Sequence, residues 1–198
     1  VSKRFEFLNE DAPQRDGNIA PGSFLVATPA LQTSGFERTV VFVLQHNLDG
    51  TFGAVINRPA NQSIVANWSK QTGLEFARES IVQGGPLGGP VLAIHQDRPI
   101  AEVEISAGVC LSVDSKAIQK LSTQHESRYR IVLGIAGWEK DQLSREMSLG
   151  YWYHVEVDPL HVFDDHDLMW ENFVREYGRQ TLQTLVGNRH FPQNPHLN

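Results

Sequence analysis

What the sequence lacks narrows it first. Cysteine occurs once in 198 residues, at Cys110, so no internal disulfide and no cysteine-rich metal centre can form. A reducing compartment is the expectation. Long apolar runs are missing too. The uncharged segment from Ser80 to Gln96 holds Gly84-Gly85-Pro86-Leu87-Gly88-Gly89-Pro90, which would break any membrane-spanning helix. The first residues carry Lys3, Arg4, Glu6, Glu10, Asp11, Arg15 and Asp16 and no apolar stretch of secretory type. These absences predict a cytoplasmic protein with no membrane association.

Clustered positive charge is also missing. Lys and Arg number 17 against 23 Asp and Glu, a net charge of −6. The imbalance is local: residues 139–186 hold 4 basic and 10 acidic side chains, whereas residues 1–138 hold 12 and 13. Nucleic-acid binding draws on clustered Lys and Arg that displace counterions. Here Arg38, Arg58, Arg78, Arg98, Arg128 and Arg130 are scattered and could meet only through folding. The pattern points to a protein partner in preference to direct nucleic-acid contact.

What is present is ordinary for a globular chain, with 40% hydrophobic and 20% charged residues. The length suits one domain over 22–186, with a polar N-terminal arm over 1–21 and a polar tail over 187–198. Strands are expected at 23–28, 39–44 and 51–57, the last two forming a hairpin across the turn His46-Asn47-Leu48-Asp49-Gly50, with Asp-Gly as the tight-turn pair. The continuous apolar run Val40 to Leu44 suits a strand buried on both faces. Further strands are expected at 80–82, 90–95, 102–105, 109–113, 129–135 and 151–157. Helices are expected at 62–76, at 115–124 with Asp114 as N-cap, at 141–149, and in a last helix capped by Asp164 or Asp165. The irregular alternation favours a mixed α+β sandwich with antiparallel pairing over a doubly wound parallel sheet.

Each chemically suggestive motif has a structural reading beside its functional one. The glycine segment lacks the Gly-Lys-Ser/Thr ending of a phosphate loop and the spacing of a dinucleotide fingerprint, and its prolines remove donors. A close backbone crossing explains it more simply. Asn57-Arg58-Pro59 reads as a strand terminus, with Arg58 as the alternative anion binder. The hairpin separates His46, near its turn, from Arg58 at its far end. His161-Val162-Phe163-Asp164-Asp165-His166-Asp167 has the composition of a metal cluster but no standard ligand spacing, and helix capping accounts for it. There is no Gly-x-Ser-x-Gly elbow, and Cys110 sits in an apolar strand.

The runs Phe36 to Val41, His46 to Pro59, Gly84-Gly85-Pro86, Val91 to His95 and Gly134 to Trp138, with Gln142-Leu143 and Asp167 to Trp170, resemble the YqgE/AlgH family over roughly residues 22–178. Asp141 stands where the family usually has glycine, and Leu87 where it has valine. The resemblance implies an α+β fold with a branched, mostly antiparallel sheet, a small barrel-like part and surrounding helices. Some members carry the label of transcriptional regulator, from a link to alginate production. A common gene neighbour resembles a Holliday-junction resolvase. No catalytic residue carries over. The motif positions mark where binding would be sought: Arg38, His46, Asn57, Arg58, Gly84, Gly85 and Trp138. No cofactor or metal is implied. The leading expectation is a non-enzymatic regulatory or binding protein. The alternative is a small hydrolase, or a binder of a phosphorylated or nucleotide-like ligand, using Arg58 or Arg38 beside the glycine loop.

Overall fold

The computed structural model describes residues 19–32, 35–123 and 127–186. Most of the expected N-terminal arm and all of the tail lie outside these residues. Among the described residues there are ten strands: β1 Phe24–Ala27, β2 Val40–Asn47, β3 Gly50–Val55, β4 Ile81–Gln83, β5 Leu92–His95, β6 Val103–Ser106, β7 Val109–Ser112, β8 Tyr129–Leu133, β9 Ala136–Glu139 and β10 Trp152–Val155. The helices are α1 Gln62–Thr72, α2 Ser115–Thr123, α3 Gln142–Ser148 and α4 Met169–Val186.

The strands form two five-stranded sheets, ordered β10-β1-β2-β3-β9 and β4-β8-β5-β7-β6. Every pair is antiparallel except β4 with β8. Strand β2 is buried along its whole length apart from Asn47. Its side chains alternate between two cores. Val40, Phe42 and Leu44 face the second sheet and α4, where Val82, Leu92, Ile94, Val132 and Phe173 meet them. Val41 and Val43 face the other way, onto Trp138, Leu143 and Trp152. A third core, with Ile81, Ala93, Ile118, Leu121 and Ile131, lies on the far face of the second sheet under α1 and α2. Two-sided cover explains why β2 reads as an unbroken apolar run.

Local chemistry sets the helix ends. Asp114 Oδ1 accepts from the amides of Lys116 (2.9 Å) and Ala117 (3.2 Å), the expected cap of α2. Asn61 does the same for α1 through the amide of Ser63 (2.9 Å). α1 ends at Thr72, four residues before the expected limit, because Gly73 turns left-handed at φ 69° and returns its N–H to Ser69. The last helix also starts late. Asp158 opens a 3-10 turn over Pro159–Phe163, Asp165 accepts only from the amide of Asp167, and α4 begins at Met169.

The largest departure from expectation is at the strand expected over 129–135, which ends at Leu133 and is followed by an unexpected strand, β9. The chain breaks at Gly134 (φ 77°), leaving β8 in the second sheet and β9 in the first. The sheets branch at this break. The Gly84 carbonyl accepts from Val55 N–H in the first sheet, while its own N–H donates to Leu133 in the second, both at 2.8 Å. Leu87 and Ile135 exchange reciprocal bonds at 3.0 Å beside it. The fold is therefore α+β with a branched, mostly antiparallel sheet system. Among the described residues neither sheet closes, so the barrel-like part is not found: each ends in edge strands, β10 and β9 in one, β4 and β6 in the other.

Candidate functional site

The conspicuous residues fall into four separate places. Around the turn at 35–39, Asn57 Oδ1 accepts from Val40 N–H (2.8 Å) and Asn57 Nδ2 donates to the Arg38 carbonyl (2.9 Å). Arg58 Nη1 donates to the Gly35 carbonyl, and Nη2 to that of Glu37 (3.1 Å). The carbonyls need this holding because Arg38 sits at φ 54°, a left-handed conformation that costs a non-glycine residue about 1 kcal/mol. The Arg38 guanidinium pairs with Glu171 and lies 4.8 Å above the Trp170 ring. Arg58 thus bonds two backbone carbonyls, while Arg38, with its side chain 66% exposed, is tied to Glu171 and Trp170.

Gly84 and Gly85 occupy the branch point. A Cβ on Gly84 would lie 2.3 Å from the Gly134 carbonyl oxygen, and one on Gly85 would lie 2.3 Å from the backbone of Ile135. Backbone passes where no side chain fits. Trp138 is buried, and its Nε1 donates to Glu146 Oε2 (2.9 Å), which also accepts from Trp152 Nε1 (2.8 Å). That double clamp fastens α3 to the outer face of the first sheet. His46 stands apart, as the hairpin geometry requires. Its Nδ1 meets Thr51 Oγ1 at 2.7 Å, beside a hollow of about 190 Å³ shared with Lys140 and Ser144.

The pairing most like a nucleophile and base is Ser112 with His95, and both are fully buried. Asp97 N–H donates to His95 Nδ1, so Nε2 carries the proton and donates to Ser112 Oγ (3.0 Å), which in turn donates to the Ile100 carbonyl. This polarity leaves His95 no lone pair for the serine proton. Burial holds the imidazole below its ordinary pKa, in keeping with a neutral ring. Burial likewise pushes the Cys110 thiol up, the opposite of a reactive cysteine.

Sequence reasoning missed a sizeable cleft. It is a cavity of about 520 Å³ between the chain after β10 and one face of α4. Val157, Met169 and Phe173 give it an apolar floor, and Glu156, Asp158, Asp164, Asp165 and Glu176 contribute carboxylates around it. Glu176 is neutralised by Arg179, which bonds both its oxygens and holds its pKa below the usual carboxylate range. Asp164 accepts from His161 Nδ1 (2.6 Å) and lies 3.5 Å from Arg128. The acidic excess of residues 139–186 was the available signal, but only the fold draws these carboxylates together.

Beneath the cleft lies a second missed residue. Arg130 in β8 is 4% exposed. It donates to the carbonyls of Val162 and Asp164 and to His166 Nε2. Burial lowers its pKa to about 10, still far above neutrality. Burial, and next the Arg130 charge, push His166 down to about 4, so it accepts as a neutral ring. The His161–Asp167 run is therefore a turn folded over a buried guanidinium. Among the described residues no group of three or more His, Cys, Asp or Glu is placed to hold a metal ion. A lone arginine within the apolar stretch Tyr129 to Ile135 was the sequence signal for this anchor.

Neither cavity described above is lined by Arg38, Arg58, Gly84 or Gly85. No helix among the described residues is long and apolar enough to cross a membrane.

Comparison with known proteins agrees with the fold. A family model described as AlgH-like matches residues 24–182. The UPF0301 protein IL2218 of Idiomarina loihiensis is 31% identical over 156 residues, covering 74% of this chain and 84% of the relative. The UPF0301 protein of Aliivibrio fischeri strain MJ11 is 29% identical over 153 residues, covering 71% of this chain and 82% of the relative. Among solved structures, the AlgH protein of Pseudomonas aeruginosa superposes with a TM-score of 0.65 at 22% identity, covering 91% of this chain and all of that one. Protein DIP2367 of Corynebacterium diphtheriae superposes with a TM-score of 0.62 at 20% identity, covering 82% of this chain and 88% of that one.

Proposed function

This chain belongs to the AlgH-like family, and on that premise we propose that it is a non-enzymatic binding protein with a regulatory role exerted through a protein partner. The observation that carries the reading is how the side chains are spent. Arg38, Asn57 and Arg58 bond backbone carbonyls, an amide and Glu171, while Gly84 and Gly85 are filled by neighbouring backbone. The sizeable cleft is acidic, which repels a phosphodiester backbone. Catalysis needs a nucleophile or acid–base pair facing a substrate, and the Ser112–His95 pair faces only the core.

The reading is tested by titrating the full chain against labelled duplex DNA at physiological salt, and by a thermal-shift panel of nucleotides and sugar phosphates. Neither is expected to respond. Tight, sequence-selective DNA binding would overturn the preference for a protein partner. A ligand at a hundred times its dissociation constant stabilises by about 2.7 kcal/mol. A shift of that size from a phosphorylated ligand, removed by Arg58→Ala, would restore the phosphate-binding alternative.

A further inference from the structure

We propose that the cleft beside α4 is the docking site for a basic, extended segment of a partner protein, and that it seats a lysine or arginine side chain. The proposal rests on the protein-partner reading above and gives that partner a chemistry and a place. Three observations point to it.

The first is uncompensated charge. Asp164 and Glu176 have cationic partners and Asp165 feels the buried Arg130 charge, but among the described residues no Lys or Arg forms an ion pair within 4 Å of Glu156, Asp158 or Asp165. Among the described residues the basic group paired with Glu156 is His154, 4.0 Å away, whose pKa burial holds below its ordinary value. The arginine on the cleft wall, Arg179, is already committed to Glu176. The cleft therefore keeps a negative potential that a cation would satisfy.

The second is the form of the cavity. No three of its acidic or histidine groups converge on one point, so the charge suits an extended organic cation and not a metal ion. A volume of about 520 Å³ is ample for a long side chain and its flanking backbone. The floor of Val157, Met169 and Phe173 offers the aliphatic stem of lysine or arginine an apolar bed, with the charged head left at the carboxylate rim.

The third is rigidity. Arg130 fixes the Val162 and Asp164 carbonyls from below, and Asp158 is tied to the amide of Leu160 (2.9 Å). A fixed backbone and a tethered Asp158 carboxylate lower the ordering cost of association.

The test is fluorescence anisotropy with a labelled repeating Arg-Gly-Leu peptide and its Glu-Gly-Leu counterpart, titrated with the full chain at low and at physiological salt. The basic peptide is expected to bind, several-fold more weakly at the higher salt, and the acidic one not at all. The double variant Glu156→Gln/Asp165→Asn is expected to weaken binding at least fivefold with an unchanged melting temperature. The control Glu139→Gln/Asp141→Asn, outside the cleft, is expected to leave binding unchanged. Equal weakening by both variants, or by neither, would overturn the cleft assignment while leaving the protein-partner reading in place. Displacement of the peptide by spermidine at matched charge concentration would overturn the peptide in favour of a small polyamine. Selective DNA binding in the separate titration is the result that removes the functional reading itself.

Discussion

The branch point and the acidic cleft use their special residues in opposite ways. At the branch and the neighbouring turn over 35–39, Gly84, Gly85, Asn57 and Arg58 stand out in the sequence, and each is consumed by neighbouring backbone. At the cleft, Glu156, Asp158 and Asp165 look like ordinary surface acids, yet they line a cavity and, among the described residues, form no ion pair with a Lys or Arg. The difference teaches that a striking motif and an available binding group are separate properties. A side chain can recognise a partner only if the fold has not already used it.

If that contrast holds, substitutions at the branch cost stability and substitutions at the cleft do not. Gly85→Ala carries the largest expected effect. Its Cβ would sit 2.3 Å from Ile135 backbone at a φ of 155°, and something must shift. We expect a loss above about 4 kcal/mol or failure to fold, read by urea titration. Asp165→Asn in the cleft should stay within about 0.5 kcal/mol. A tolerated Gly85→Ala would break the contrast at its strongest point.

Arg130→Met comes next. It removes a buried guanidinium and leaves the Val162 and Asp164 carbonyls without that donor, for an expected cost of about 3 kcal/mol. Because the same residue underlies the cleft, this variant links the two regions, and loosened chain at 162–166 should appear as faster amide exchange there.

Asn57→Ala should cost about 2 kcal/mol in urea titration, since it unpairs Val40 N–H and the carbonyl of strained Arg38.

Acid should weaken the cleft side of the molecule before the branch. His166 falls from 6.5 to about 4 in the folded state, first through burial and then through Arg130. The unfolded chain therefore takes up its proton first, and stability is lost as pH drops from 6.5 to about 4. His95 and His154, both lowered chiefly by burial, act with the same sign. For a partly exposed ring the contribution is about 1 kcal/mol after screening. Melting temperatures across that range check it, and His166→Gln should flatten the profile.

The smallest effect is Asp141→Gly. Asp141 adopts φ 60° at the start of α3, a conformation glycine takes without strain. We expect a gain of up to about 0.5 kcal/mol, offset by the added freedom of the unfolded chain.

Much of this was legible beforehand because it is local. The 39–57 hairpin, the two-sided burial of β2, the Asp114 cap and the separation of His46 from Arg58 all follow from nearby residues, although the turn falls on Leu48-Asp49 and not on Asp49-Gly50. The late start of α4 was not, because Arg130, distant in sequence, claims the 162–166 turn that would otherwise look like a helix cap. The break at Gly134 was missed for a similar reason. An apolar run with one internal glycine reads the same whether it stays in one sheet or crosses to another.

Composition and periodicity alone determined that this chain makes an α+β domain with an acidic C-terminal third, since hydrophobic pattern and charge count are properties of short windows. Only the tertiary structure decided which polar groups are spent and which are free. That outcome depends on contacts between segments tens of residues apart, and hydrogen bonds and ion pairs act over a few ångströms of space whatever the distance along the chain.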